Sequence, residues 1–126
     1  MKRLAFAAVI MMLASSWASA QFVQQGDKLV GIRTVGDALQ GWSVALSADG
    51  NTAVVGGPTD ANSKGAAWAF TRSGGVWTQQ GEKLVGTGGG SSDRQGNSVA
   101  ISADGNTAIV AGRHSVWVHL SRSCRQ

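Results

Sequence analysis

Cysteine is almost missing from this chain: the 126 residues hold one, Cys124, close to the C-terminus. A lone cysteine excludes an internal disulfide, and in a chain end it reads as an incidental residue rather than a bridge or a reactive thiol. Clustered charge is missing too. Lys28, Lys64, Lys83, Arg94 and Arg113 are scattered along the sequence, which excludes the basic face of a nucleic-acid binder. No nucleophile-elbow pattern occurs, and the acidic residues fall singly in turns or polar strand ends instead of as a close pair. That argues against an enzyme. His114 and His119 have no carboxylate or cysteine at metal-ligand spacing, and no helical period is sustained beyond the first twenty residues.

What the N-terminus does contain is a leader pattern. Lys2 and Arg3 precede an apolar run from Leu4 to Leu13, and Ala18-Ser19-Ala20 stands before Gln21. A basic start, a short apolar run and a small-residue ending mark a cleavable secretory signal over residues 1–20. The run is well short of the roughly 20 residues of a bilayer span. The expectation is an exported product, secreted or periplasmic, cut after Ala20. Two of the eleven basic residues belong to the leader, so residues 21–126 balance nine basic against seven acidic side chains.

Residues 21–126 are an internal duplication. QQGDKLVG at 24–31 returns as QQGEKLVG at 79–86, and ALSADGNTAVVGG at 45–57 returns as AISADGNTAIVAG at 100–112. Gly41, Ser43 and Val44 recur as Gly96, Ser98 and Val99, while Phe22 is matched by Trp77. One offset of 55 positions across separate blocks means repetition rather than biased composition. The first repeat spans about 24–78 and the second about 79–126.

Each repeat reads as short strands between turns. Ser43–Ser47 alternates, with Val44 and Leu46 on one face, and stops at Asp49-Gly50-Asn51, a composition that tolerates positive φ. Thr52–Val55 is a β-branched run closed by Gly56-Gly57-Pro58. Along Ala66–Arg72, Trp68 and Phe70 share one face while Ala67, Ala69 and Thr71 share the other, which suits a sheet packed between neighbours. Ser73-Gly74-Gly75 turns the chain into a fourth strand over Val76–Leu84, and Phe22–Val30 matches that fourth strand. The fold class predicted is all-β: two tandem four-stranded antiparallel blades of a partial β-propeller. At most eight strands are expected, too few to close a ring alone.

The second repeat departs after Gly112. PTDANSKGAAWAFTRSGG has only RHSVWVHLSRSCRQ as its counterpart, with Trp117 and Arg122 standing for Trp68 and Arg72, and His119 standing for Phe70. A fourth strand is not expected there, so the array reads as truncated. Strand edges at Val23–Val30 and Val116–Leu120 are then open and invite homo-oligomerisation, with Phe22–Val30 completing a neighbour's last blade. The loops 31–41 and 86–96 occupy equivalent places but share little beyond glycine. Divergent loops between matched strands are where ligand contacts sit, and Asp37, Arg94 and the neighbouring Trp42 are the candidate ligand-binding residues. Trp42 stands where the second repeat has Asn97, which argues for exposure. The glycine run 86–90 lacks the Gly-Lys-Ser/Thr ending and following helix of a phosphate loop, so it reads as a flexible connection.

The pattern GxSVALSADGNTAVVGGP, with GAAWAFTRSGGVWTQQGEKL, resembles the FG-GAP repeat family, the β-propeller repeats of integrin α-chains and of bacterial exported proteins. The motif is degenerate: Phe-Gly stands as Gln40-Gly41 and Gln95-Gly96, and Gly-Ala-Pro as Gly56-Gly57-Pro58 and Ala111-Gly112-Arg113. The resemblance implies a calcium-binding turn at Asp49 and Asn51, with Ser47, and at Asp104 and Asn106, with Ser102. Calcium takes six to eight oxygens, usually from several carboxylates. One carboxylate per turn is few, so calcium is expected to contribute little. The function expected is a non-catalytic extracellular binding or structural module for a protein or carbohydrate ligand. The alternatives are a two-blade lectin that closes by oligomerisation and a partial product without independent function.

Overall fold

The computed structural model describes residues 20 to 121. Residues 1–19, which hold most of the expected secretory signal, lie outside the described residues, as do Arg122 and Cys124. The protein is all-β. The first repeat forms a four-stranded antiparallel sheet of β1 (Ser43–Leu46), β2 (Thr52–Gly57), β3 (Ala66–Ser73) and β4 (Val76–Gln79), hydrogen-bonded in that order. The second forms a three-stranded antiparallel sheet of β5 (Ser98–Ile101), β6 (Thr107–Ala111) and β7 (Val116–Leu120). A single turn, α1 (Asp60–Ser63), connects β2 to β3.

The strand register carries the duplication into space. Val44 pairs with Val55 and Leu46 with Ala53 in the first sheet, while Val99 pairs with Val110 and Ile101 with Ala108 in the second. Val55 lies opposite Trp68, and Val110 lies opposite Trp117. The same rule sets His119 beside Ala108 where Phe70 stands beside Ala53. Gly50 and Gly105 take positive φ in the two Asp-Gly-Asn turns, as the composition requires.

Strand alternation sends β3 side chains to two cores. Ala66, Trp68 and Phe70 bury with Ala38 on one face, joined by Val55, Trp77 and Val85. Ala67 and Val54 bury on the other face against Ala108 and Val110 of the second sheet, with Ala69, Leu84, Val99 and Ile101 around them. Small residues allow the close approach. A Cβ at Gly56 would lie 2.1 Å from the Gly96 carbonyl oxygen, and Ser43 Oγ donates to that same oxygen at 2.8 Å.

Two expectations on strands are corrected. The strand read over Val76–Leu84 stops at Gln79, then meets β3 again where Gln80 N donates to Ala69 O and Leu84 forms an isolated bridge with Ala67. Gly81, at positive φ, makes the intervening bulge. No strand forms over Phe22–Val30, and seven strands are present among the described residues. A strand needs a partner edge, and among the described residues the equivalent of the β3 edge that no strand covers belongs to β7, on the other sheet.

Candidate functional site: three loops meeting at one end of the sheets

The loops 31–41 and 86–96 are held by the same device. Gln40 Nε2 donates to Gly31 O at 2.9 Å while its Oε1 accepts from Gly31 N at 2.8 Å. Gln95, fully buried, does the same to Gly86 at 3.2 and 2.6 Å. Each clasped glycine lies on an indole: a Cβ at Gly31 would sit 2.3 Å from Trp68, and one at Gly86 would sit 1.9 Å from Trp117. The indoles then donate to the next carbonyl, Trp68 Nε1 to Ile32 O at 2.8 Å and Trp117 Nε1 to Thr87 O at 3.0 Å. Each glutamine thereby satisfies both polar groups of one peptide position, which an apolar side chain cannot.

Loop 58–65 lies between these two and ties them together. Thr59 Oγ1 donates to Asp37 O at 2.5 Å, Val35 N donates to Asp60 Oδ1 at 2.7 Å, and Ala61 N donates to Val35 O at 2.9 Å. From the other side, Arg94 N donates to Ser63 O at 3.0 Å and Gln95 N to Lys64 O at 2.9 Å. Asp60 is buried and accepts a 2.6 Å ion pair from Lys83. The candidate residues Asp37 and Arg94 thus grip opposite ends of one turn through their backbones. Trp42 stands beside this face at the start of β1, 60% exposed.

The backbone here is unusual. Six non-glycine residues among those described have positive φ: Arg33, Leu39, Ala61, Asn62, Ser63 and Arg94. All six belong to these three loops.

The Asp-Gly-Asn turns lie at the other end of the strands, where Ala48 N donates to Ala103 O. Asp49 Oδ1 accepts from Ser47 Oγ at 2.7 Å and Asn51 N at 2.9 Å; Asp104 Oδ1 accepts from Ser102 Oγ at 2.6 Å and Asn106 N at 3.0 Å. The serine hydroxyl first, then the backbone N–H, holds each carboxyl below the usual aspartate range. Among the described residues no group of three or more His, Cys, Asp or Glu side chains gathers as a metal site. The single oxygen that each Asp turns inward already closes its own turn.

A cleft of about 520 Å³ opens between the sheets, floored by Val54, Ala69, Leu84, Ile101 and Ala108. His119 lines it with Nε2 buried and, among the described residues, without a hydrogen-bond partner. Burial holds its pKa below the ordinary 6.5. The sign follows from the unfolded chain taking up its proton first: stability is lost as pH falls below about 6.5 toward the lower folded value. Glu82 and Lys83 line the same cleft, paired with Arg33 and Asp60. His119→Phe, the first repeat's choice, is expected to stabilise the fold by about 1 kcal/mol by removing the unsatisfied atom. It should also abolish the fall in melting temperature between pH 7 and pH 5, which thermal melts at several pH values would read.

Gln95→Leu is expected to destabilise by about 2 kcal/mol or more, since Gly86 N–H and C=O are left buried without partners. Urea unfolding measures it, with Gln40→Leu as the milder case because Gln40 is only partly buried. Neither glutamine clasp nor the Asp60–Lys83 pair was singled out by motif reasoning. The available signal was the Gln-Gly dipeptide recurring nine residues after Gly31 and after Gly86.

By fold, then, the chain is an all-β protein of two packed antiparallel sheets carrying a strained loop face. No protein-family model, no curated protein and no solved structure matches it.

Proposed function

We propose that the chain is a non-catalytic binding module of the cell exterior, built as two β-propeller blades, with its ligand contacts on the face formed by loops 31–41, 58–65 and 86–96. The observation that carries this reading is the confinement of all six positive-φ non-glycine residues to those loops. Each such residue costs of order 1–3 kcal/mol and persists only where its surroundings over-determine it, which is the mark of a functional surface. At the opposite turns the chain places glycine wherever positive φ is needed. The leader pattern supports export. Ile32, Val35, Leu39 and Trp42 are exposed on or beside loop 31–41 among the polar groups of Arg33 and Asp37, a mixture suited to a protein or sugar surface. The test is binding of the labelled chain to arrayed glycans and to cell-surface proteins, beside a Trp42→Ala, Asp37→Ala, Arg94→Ala variant whose fold is verified by circular dichroism. Loss of at least about tenfold in affinity is expected; binding that survives all three changes sinks the reading.

A carbohydrate ligand is the second reading, favoured by Trp42. It is 60% exposed whereas Trp68 is fully buried, and an open indole face suits the C–H surface of a sugar. Loss of glycan binding in Trp42→Ala alone would select it.

A further inference from the structure

The first sheet shows how its outer edge is finished. Antiparallel alternation points the N–H and C=O of Ala67 and Ala69 away from β2, and the segment after β4 takes them up. Ala67 N donates to Leu84 O at 3.0 Å, Leu84 N to Ala67 O at 2.7 Å, and Gln80 N to Ala69 O at 2.7 Å. That segment then enters the second sheet at Gly86, clasped by Gln95 over Trp117. The finishing strand is therefore rooted in one sheet and paired with the sheet before it.

Residues 24–31 are the earlier copy of 79–86, and they are rooted identically: Gly31 is clasped by Gln40 and lies over Trp68. Among the described residues no sheet lies before the first, and every residue from 20 to 30 is exposed, Phe22 completely and Val23 at 80%, with Gln25 Oε1 accepting from Arg72 and from Trp77 Nε1. At the other end of the molecule β7 is the last strand of its sheet. Its residues Val116, Val118 and Leu120 are the counterparts of Ala67, Ala69 and Thr71, and all three are exposed.

We propose that the arm 22–30 of a second copy of this chain adds to the β7 edge as its fourth strand. The internal example sets the register. Val116 stands opposite Leu29 with two backbone hydrogen bonds, Gln25 N donates to Val118 O, and Val23 lies opposite Leu120. Leu29 takes the role of Leu84, covering Ile109 and Val118 as Leu84 covers Val54 and Ala69. Two chains that exchange arms reciprocally satisfy both edges. The sheet-to-sheet approach in this pairing is wider than the internal one, because Ala111, Val116, Val118 and Ile109 stand in place of Gly56, Ala67, Ala69 and Val54. A Cβ at Gly56 already has no room, so the methyl of Ala111 holds the second copy further off and the larger side chains fill the gap. Edge pairing through the arm does not need the tighter spacing.

The proposal is tested with the full-length chain by light scattering across a dilution series, beside Leu29→Pro and Val23→Pro. Both prolines fall in exposed coil and remove an N–H that the proposed register uses between copies, Val23 standing opposite Leu120 as Thr78 stands opposite Thr71, so circular dichroism and the monomer's melting should be unchanged while association weakens about tenfold or more. Register is tested by mixing Leu29→Cys chains with Val116→Cys chains, Cys124 being changed to Ser in both. A directly opposed pair in a hydrogen-bonded site lies about 5.5 Å apart at Cα, within disulfide reach. A mixed disulfide dimer should dominate, with little from Leu29→Cys mixed with Val118→Cys. A wild-type chain that stays monomeric at all concentrations, association indifferent to both prolines, or equal cross-linking by the two cysteine pairs would overturn it.

Discussion

Trp68→Ala is expected to destabilise the protein by about 3–5 kcal/mol, the range for deleting a large buried aromatic side chain. The indole has no exposed surface, packs with Phe70, Ala38 and Ala66, and donates its N–H to Ile32 O. Removing it also leaves Gly31 without the ring it lies on, so the root of loop 31–41 is lost together with the core. A small domain has only about 5–15 kcal/mol of stability in total, so the variant should sit near its unfolding midpoint at room temperature, as chemical denaturation would show. Trp42→Ala is the contrast. Its side chain is mostly exposed, so its cost should stay within about 0.5 kcal/mol, and a comparable loss in the two variants would contradict the packing described here.

The second large effect is expected from Lys83→Met. Asp60 has no exposed side-chain surface, and its carboxylate rests on two donors, Val35 N and Lys83 Nζ. Removing the ammonium leaves a buried carboxylate with one backbone partner, and breaking a buried pair in this way costs about 3–5 kcal/mol. Asp60 joins loop 58–65 to loop 31–41, so the damage should spread to the proposed binding face. Hydrogen exchange at Val35 and Ala61 is the local readout, since both amides bond across that junction. In a double-mutant cycle with Asp60→Leu, the combined loss should fall well short of the sum of the single losses. By comparison Arg33–Glu82, about two-thirds exposed on both sides, should contribute no more than about 1 kcal/mol.

Much of the fold was legible because the chain states it twice. β1, β2, β5 and β6 follow from alternating apolar residues on either side of the Asp-Gly-Asn turns, and the two faces of β3 follow from its bulky and small alternation. The fourth strand was legible only to Gln79, because the polar residues after it pair with β3 through a bulge that has no periodic pattern. Phe22–Val30 copies a strand sequence without being one: its pattern is right, and among the described residues no strand edge lies beside it. Of the candidate site, Asp37 and Arg94 rest on loop divergence and Trp42 on standing where the second repeat has Asn97. The structure sets Asp37 and Arg94 on the two ends of loop 58–65 and leaves Trp42 beside them, joined to neither by a hydrogen bond among the described residues.

By itself the sequence determined the all-β class, the duplication, the turns and which face of each strand is apolar, because these depend on residue neighbours and on a period of two. Only the tertiary structure decided that Gln40 and Gln95 clasp buried glycines nine residues upstream and that Asp60 is a buried ion-pair partner. It also decided that three loops from two repeats form one strained face. Those contacts join residues far apart in the chain, and their energies come from burial and from the satisfaction of backbone groups, which exist only once the two sheets have packed.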